Sequence, residues 1–113
     1  MIRLNLDRRG AFLSDALSIC LFRAAQEGIR NALEHAHASQ IDVDLRVVDD
    51  RVLLTVRDDG CGFTVPERLS ELAQMNHFGL IAVAERVAWI GGQFSVQSQA
   101  AQGATMRISL PLR

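Results

Sequence analysis

The most constraining stretch of this chain is residues 51–63, RVLLTVRDDGCGF. Val52, Leu54 and Val56 are apolar at every second position, so they share one face of a β-strand. Asp58 has the same parity. A carboxylate aimed where apolar side chains should go costs on the order of a few kcal/mol unless something meets its charge or its hydrogen bonds. Gly60 and Gly62 follow at once and let backbone approach a ligand closely. An inward acid beside a glycine turn reads as a recognition site rather than a packing device.

The 113 residues suit one domain, spanning 1–113, and the 49% apolar content is enough for a core. A formal net charge of -1 removes the electrostatic case for nonspecific binding to nucleic acid or a membrane surface. Cys20 and Cys61 form no disulfide framework or CxxC metal pattern, so a reducing, cytoplasmic setting is expected. No apolar stretch is long enough to cross a bilayer, and MIRLNLDRRG is not a signal peptide.

Alternating Ile2, Leu4 and Leu6 predict a short first strand. Residues 14–36 predict a long helix with Ser14 or Asp15 near its cap. Its apolar row is Leu21, Ala25, Gly28 and Ala32, with Phe22, Ile29 and Leu33 beside it. Ile41, Val43, Leu45 and Val47 alternate with polar residues, and Asp49-Asp50 turns the chain into the Asp58 strand, predicting a hairpin. A weak helical stretch at 67–74 precedes a second helix at 79–90, with Leu80, Val83, Ala84 and Val87 inward and Gly91-Gly92 ending it. Phe94 and Val96, then Met106, Ile108 and Leu110, mark two closing strands. This order predicts an α+β fold: a two-layer sandwich whose mixed, mostly antiparallel sheet is covered on one face by helices.

Glu27, Asn31 and His35 recur every four residues and form a polar stripe bordering the apolar row. The amide oxygen of Asn31 suits Mg²⁺, a hard cation that takes oxygen ligands and keeps several waters. Glu27 suits orienting a water on that ion or acting as a base. A solvated helix face is the alternative, and His35 with His37 and Glu34 makes a poor zinc site because residues two apart on a helix diverge. Neither GxxxxGK[ST] with its lysine nor GxGxxG is present. Gly79 opens the second helix, whose free N–H groups favour an anion, so residues 76–79 suit closing over phosphates. Gly103, Ala104 and Thr105 open the last strand and suit one more backbone contact.

Three islands together match a family. AAQEGIRNALEHA resembles an N-box, DDGCGF a first glycine box, and HFGLIAVAERVAWIGG with QGATMRISLPL a second glycine region. The chain is thereby similar to the ATP-binding catalytic domain of sensor histidine kinases, in the GHKL ATPase superfamily. LFRAAQEGIRNALEHAHAS with HFGL and ERV…GG most resembles the nitrate-sensor-like subfamily. The resemblance implies ATP and Mg²⁺ held between the long helix, the glycine turns and a lid at residues 64–78. It implies that Asp58 accepts a hydrogen bond from the adenine amino group, with Gly60 and Gly62 lining that end. It gives Asn31 to Mg²⁺, Glu27 to a metal water or proton transfer, and His35 to the phosphate neighbourhood. His77, Gly79 and Leu80 fall in the string where the lid hinges on the helix N-terminus, and Gly103 and Thr105 fall on the adenine side.

Four positions depart from the family pattern. Glu34 stands where lysine or arginine is usual, which weakens attraction to a triphosphate unless it points outward or Arg30 compensates. His77 replaces a glycine, Ala104 a threonine, and Asp59 an asparagine. The resemblance further implies transfer of the γ-phosphoryl group to a histidine on a separate dimerisation domain, with a response regulator served indirectly. No acceptor helix is recognisable, so autophosphorylation by these residues alone is not expected. The fragment is expected to be monomeric and the parent kinase a homodimer, in the cytoplasm or anchored in the inner membrane. An anti-sigma-factor-type serine kinase and a catalytically inert nucleotide-binding regulatory module are the alternatives.

Overall fold

A computed structural model describes residues 1–34, 37–61, 78–98 and 102–112. The expected helical stretch at 67–74 lies outside these, as does the expected lid apart from Phe78. The elements are β1 (Ile2–Leu6), a 3₁₀ helix (Arg8–Phe12), α1 (Asp15–Glu34), β2 (Ile41–Val48), β3 (Arg51–Asp58), α2 (Phe78–Trp89), β4 (Gln93–Ser98) and β5 (Ala104–Pro111). They build one sheet in the order β1-β2-β3-β5-β4. Only the β1–β2 pair is parallel. The two-layer α+β architecture expected from the sequence is therefore present.

Parallel strands need a crossover, and α1 supplies the one between β1 and β2. β3 and β4 run in the same direction with β5 inserted between them, so α2 lies on a second crossover that skips one place. Both helices pack on one face of the sheet.

Ser14 caps α1, its Oγ accepting from Leu17 N at 3.3 Å, one residue before the helix begins. The buried positions Leu17, Cys20, Leu21, Ala24, Gly28 and Ala32 are three or four apart and form one continuous stripe. Phe22 and Leu33, expected beside that stripe, are more than half exposed. α1 sits closest to the sheet at Gly28. A Cβ there would lie 2.9 Å from Val56 Cγ1 and 3.2 Å from Met106 Cε.

β3 is the central strand, paired throughout with β2 and β5, and Val52, Leu54 and Val56 are all buried. The β2–β3 hairpin turns at Asp49-Asp50, with Asp49 in the left-handed region at φ 54°. Aspartate tolerates that conformation better than most residues. α2 begins and ends one residue earlier than its pattern predicts. Gly91 (φ 82°) and Gly92 close it: Gly91 N donates to Ala88 O at 3.0 Å and Gly92 N to Val87 O at 2.9 Å.

The 3₁₀ helix was not expected. Asp7 makes it: its carboxylate accepts from Arg9 N at 3.0 Å and from Val47 N at 2.9 Å, while Asp7 N donates to Leu45 O at 2.9 Å. The Arg9 side chain, with those two backbone donors, holds this carboxyl far below the usual carboxylate range. One side chain thus ends β1, starts the 3₁₀ helix and pins both to β2.

Replacing Gly28 by valine should push α1 off β3. Overpacking of this kind costs about 1–3 kcal/mol, and the variant's urea midpoint should fall accordingly with an unchanged slope.

Candidate functional site

Three chain segments end or begin together at one edge of the two layers. β3 ends at Asp58, β5 begins beside it with Ala104 paired to Asp58, and β2 begins with Ile41 on the other side. α1 contacts Val56 at Gly28 and continues in the same sense as β3, because its C-terminal end leads into β2. Asn31 and Ala32, one turn beyond Gly28, therefore lie towards the Asp58 end. Of the sequence-predicted residues, Asp58, Gly60 and Gly103 come together here and Asn31 lies towards the same end, while Glu27 and Gly79 meet each other in the cleft between α1 and α2. His35, Gly62 and His77 lie outside the described residues.

Asp58 is half-buried at the end of an otherwise buried face. Burial raises its carboxyl above the ordinary aspartate range; hydrogen bonds from the Gly60 and Ala104 backbone lower it in part, and neighbouring Asp59 raises it. Gly60 N donates to Asp58 Oδ1 at 2.9 Å. Both donors are backbone groups, so the carboxylate is oriented while, among the described residues, no cation pairs with it. Gly103 is buried with φ 79°, and a Cβ there would collide with the carbonyl oxygen of Asp58. Its glycine is required twice over, by backbone conformation and by close approach.

Two expected neighbours of Asp58 resolve differently. Ala104, Met106, Ile108 and Leu110 share the inward parity of β5, so Ala104 stands beside Asp58. Thr105 has the opposite parity and pairs with the exposed Arg57. It is on the sheet face away from the helices, because side chains alternate along a strand. Leu80 is a buried core residue of α2, so its side chain packs and only its backbone is placed for a ligand.

Asp59 turns away from the site. Its Oδ1 accepts from Ser39 N and Gln40 N, both at 2.9 Å, and its Oδ2 accepts from Ser39 Oγ at 2.6 Å. The Ser39 hydroxyl, then the Gln40 amide, lower its carboxyl below the usual range. Adjacent aspartates thus point opposite ways, one at the site and one fastening the start of β2 beside it.

On α1, the Asn31 amide nitrogen is buried with no hydrogen-bond partner among the described residues. Leaving such a group unpaired costs about 1–3 kcal/mol. A rotation about the last side-chain torsion exchanges amide nitrogen and oxygen, so the position suits a cation or a polar ligand equally well. Glu27 is clamped by Arg30, whose Nη2 donates to both carboxylate oxygens at 3.0 Å. The same carboxylate lies against Gly79 in the first turn of α2, so closely that a Cβ at Gly79 would collide with it. That places an anion at a helix N-terminus, the end whose dipole favours one. Glu34 is exposed at the last turn of α1, and Arg30 pairs with Glu27 instead of with it. The roles of Asp59 and Arg30 had no local signal in the sequence, whereas the parity of Ala104 did.

The family described as histidine kinase-, DNA gyrase B-, and HSP90-like ATPase matches residues 16–113. This chain belongs to that family. Among curated relatives of the ATPase family, the signal transduction histidine-protein kinase/phosphatase DegS of Bacillus subtilis is 33% identical over 100 residues, covering 88% of this chain and 26% of DegS. The sensor protein VraS of Staphylococcus aureus is 36% identical over 92 residues, 81% of this chain and 25% of VraS. The chain thus spans about a quarter of the length of these relatives. The solved structure of Acinetobacter baumannii histidine kinase AdeS superposes with a TM-score of 0.70 at 20% identity, covering 100% of this chain and 54% of that one. That likeness confirms the ATPase fold.

Asp58→Asn keeps an acceptor oxygen for Gly60 and Ala104 but removes the charge. Because the folded state raises the carboxyl's pKa, ionised Asp58 opposes folding at neutral pH, and that penalty disappears as pH falls through the raised value. Thermal unfolding should therefore show the variant at least as stable as wild type at pH 7, with any gain lost in acid. Asp59→Ala should do the reverse. Its stabilising contribution is present above the ordinary aspartate pKa and is lost as pH falls through the lowered one. The variant should melt lower at pH 7 and converge with wild type in acid.

Proposed function

We propose that this chain is the ATP-binding catalytic domain of a two-component sensor histidine kinase. The observation that carries the reading is Asp58: a half-buried carboxylate with no cation paired to it among the described residues, oriented by two backbone donors at the end of the central strand. A carboxylate held this way is a ready acceptor for the exocyclic amino group of adenine. Gly60 and Gly103 allow backbone to approach the same place, and the family match covers the positions involved.

The Asn31 amide fits the magnesium that accompanies ATP in such enzymes. Its amide nitrogen is buried without a partner among the described residues, and its oxygen is the ligand type a hard cation takes. When bound, the ion would supply neutralisation of triphosphate charge. Glu27 would hold a water or a proton next to it, and the α2 N-terminus at Gly79 would attract the phosphates. The Arg30–Glu27 pair is three residues apart on one helix and exposed on its arginine side, so solvent screens it and it is weak. It is no obstacle to Arg30 turning towards a phosphate, which would offset Glu34. Phosphoryl transfer needs mainly positioning and charge neutralisation, so the domain need not carry the nucleophile. The acceptor histidine is expected on a separate dimerisation domain, and a response regulator downstream of it. The nitrate-sensor-like reading rests on LFRAAQEGIRNALEHAHAS with HFGL and ERV…GG.

Calorimetric titration with ATP tests this. Wild type should bind in a Mg²⁺-dependent manner. Asp58→Asn should weaken ATP about tenfold to a hundredfold, the worth of one hydrogen bond to a charged group. Asn31→Ala should abolish the Mg²⁺ dependence. Unchanged affinity in both variants would overturn the reading. With nucleotide binding in place, phosphate transfer to an added acceptor domain would separate a kinase from an inert binder.

A further inference from the structure

We propose that β1 is a self-pairing edge, through which two copies of this chain join their sheets antiparallel across a two-fold axis. β1 is an end strand with β2 as its one neighbour among the described residues. Ile41 N donates to Met1 O and Asp7 N to Leu45 O, both at 2.9 Å, so the odd-numbered residues spend their backbone groups on β2. In a parallel ladder the alternate residues face away. The N–H and C=O groups of Ile2, Leu4 and Leu6 therefore point out of the sheet edge.

The side chains of those same residues are apolar and uncovered: Ile2 is 47% exposed, Leu4 61% and Leu6 57%. They share a face with the buried Ile41 and Val43 of β2, but the helical layer stops short of them. Phe22 and Leu33 on α1 are exposed as well. The other end strand, β4, differs: its Phe94 and Val96 are partly buried against the core beside α2. Natural edges are usually blunted by lysine, proline, inward charge or a bulge. The stretch Ile2–Leu6, sequence IRLNL, is short and has no lysine, proline or inward charge, and its one charged side chain, Arg3, lies on the face opposite the apolar residues and is paired with Asp42.

The register follows from the residues. Centring the seam on Leu4 sets Leu4 opposite Leu4 of the second copy and Ile2 opposite its Leu6. Every outward-facing residue then meets another outward-facing one, and each such pair exchanges two hydrogen bonds. Arg3 stands opposite Asn5 of the second copy, so no like charges face each other. It is held over its own sheet by Asp42 at 3.6 Å. Sliding to set Ile2 opposite Leu4 would put Arg3 against Arg3 and shorten the seam. Sliding by one residue would set outward backbone groups against groups already used by β2. The charge and hydrogen-bond pattern thus selects one isologous arrangement with apolar side chains of both copies on one shelf. A seam this short gives a weak dimer, in the micromolar range or above.

Sedimentation velocity on the chain from micromolar to near-millimolar concentration tests this, with amide hydrogen exchange alongside. Wild type should become dimeric at the upper end, and the amides of Ile2, Leu4 and Leu6 should slow as it does. Leu4→Pro removes an outward N–H without touching the β1–β2 ladder, and Leu4→Lys adds a charge at the centre of the seam. Either should raise the dimer dissociation constant at least about tenfold, with nucleotide affinity unchanged. A monomer at every concentration, a dimer in which those three amides still exchange freely, or variants that associate like wild type would each overturn the proposal. The nucleotide-site reading is independent of all three outcomes.

Discussion

The approach of α1 to β3 at Gly28 sets the geometry of everything above it. Val56 and Met106 fill the space where any larger residue would need its side chain. A methyl group at this point would lift the helix by tenths of an ångström along its whole length, because packed interiors transmit strain instead of absorbing it. One turn further along α1 stands Asn31, and one alternation further along β3 stands Asp58. The helix contributes a polar stripe and the strand a single acid, and their spacing is fixed by a contact that contains neither. The position that fixes their spacing is thus an apolar one, and the chemistry is carried by residues that lean on it.

Asp58 and Asp59 show how the chain separates stability from recognition. Adjacent strand-end residues point in opposite directions, so two identical side chains meet unlike surroundings. Asp59 accepts three hydrogen bonds around the start of β2 and is held in its charged form by them. Asp58 accepts backbone donors but loses more to burial, and is pushed towards its neutral form. The first fastens the ground on which the second stands. Local destabilisation at a site, offset by a neighbour, is the expected signature of a group kept for binding.

Period-2 alternation made β2, β3 and the hairpin legible in the sequence, and the three- and four-residue spacing made α1 and α2 so. Those signals are local, and each is repeated several times within one element. The insertion of β5 between β3 and β4 is not local: nothing in the order of elements tells where the last strand pairs. Asp7 fixes its role through Val47, forty residues away, and Asp59 through Ser39 and Gln40. A polar residue with distant partners reads in sequence as an ordinary surface residue. Ala104 and Thr105 are a different matter. The alternation of Met106, Ile108 and Leu110 already assigns Ala104 to the Asp58 face, and it was the family motif that drew attention to the threonine.

Glu27 joins these observations. Its carboxylate occupies the N-terminal turn of α2, the place whose dipole favours an anion, and Gly79 is what makes room for it. An anionic ligand arriving there meets a negative group first. The arrangement is therefore unfavourable for a bare triphosphate, and on the proposed reading a cation standing between the two would relieve it, with the Asn31 amide, unpartnered among the described residues, on the same helix. Arg30 bears on the same balance: while it holds Glu27 it neutralises that carboxylate, and on the proposed reading a phosphate that drew it off would free Glu27 to hold a water beside the ion. Selectivity for a metal–nucleotide complex over free nucleotide would follow, on the proposed reading, from two side chains of opposite charge and one glycine, with the exposed Glu34 outside the exchange.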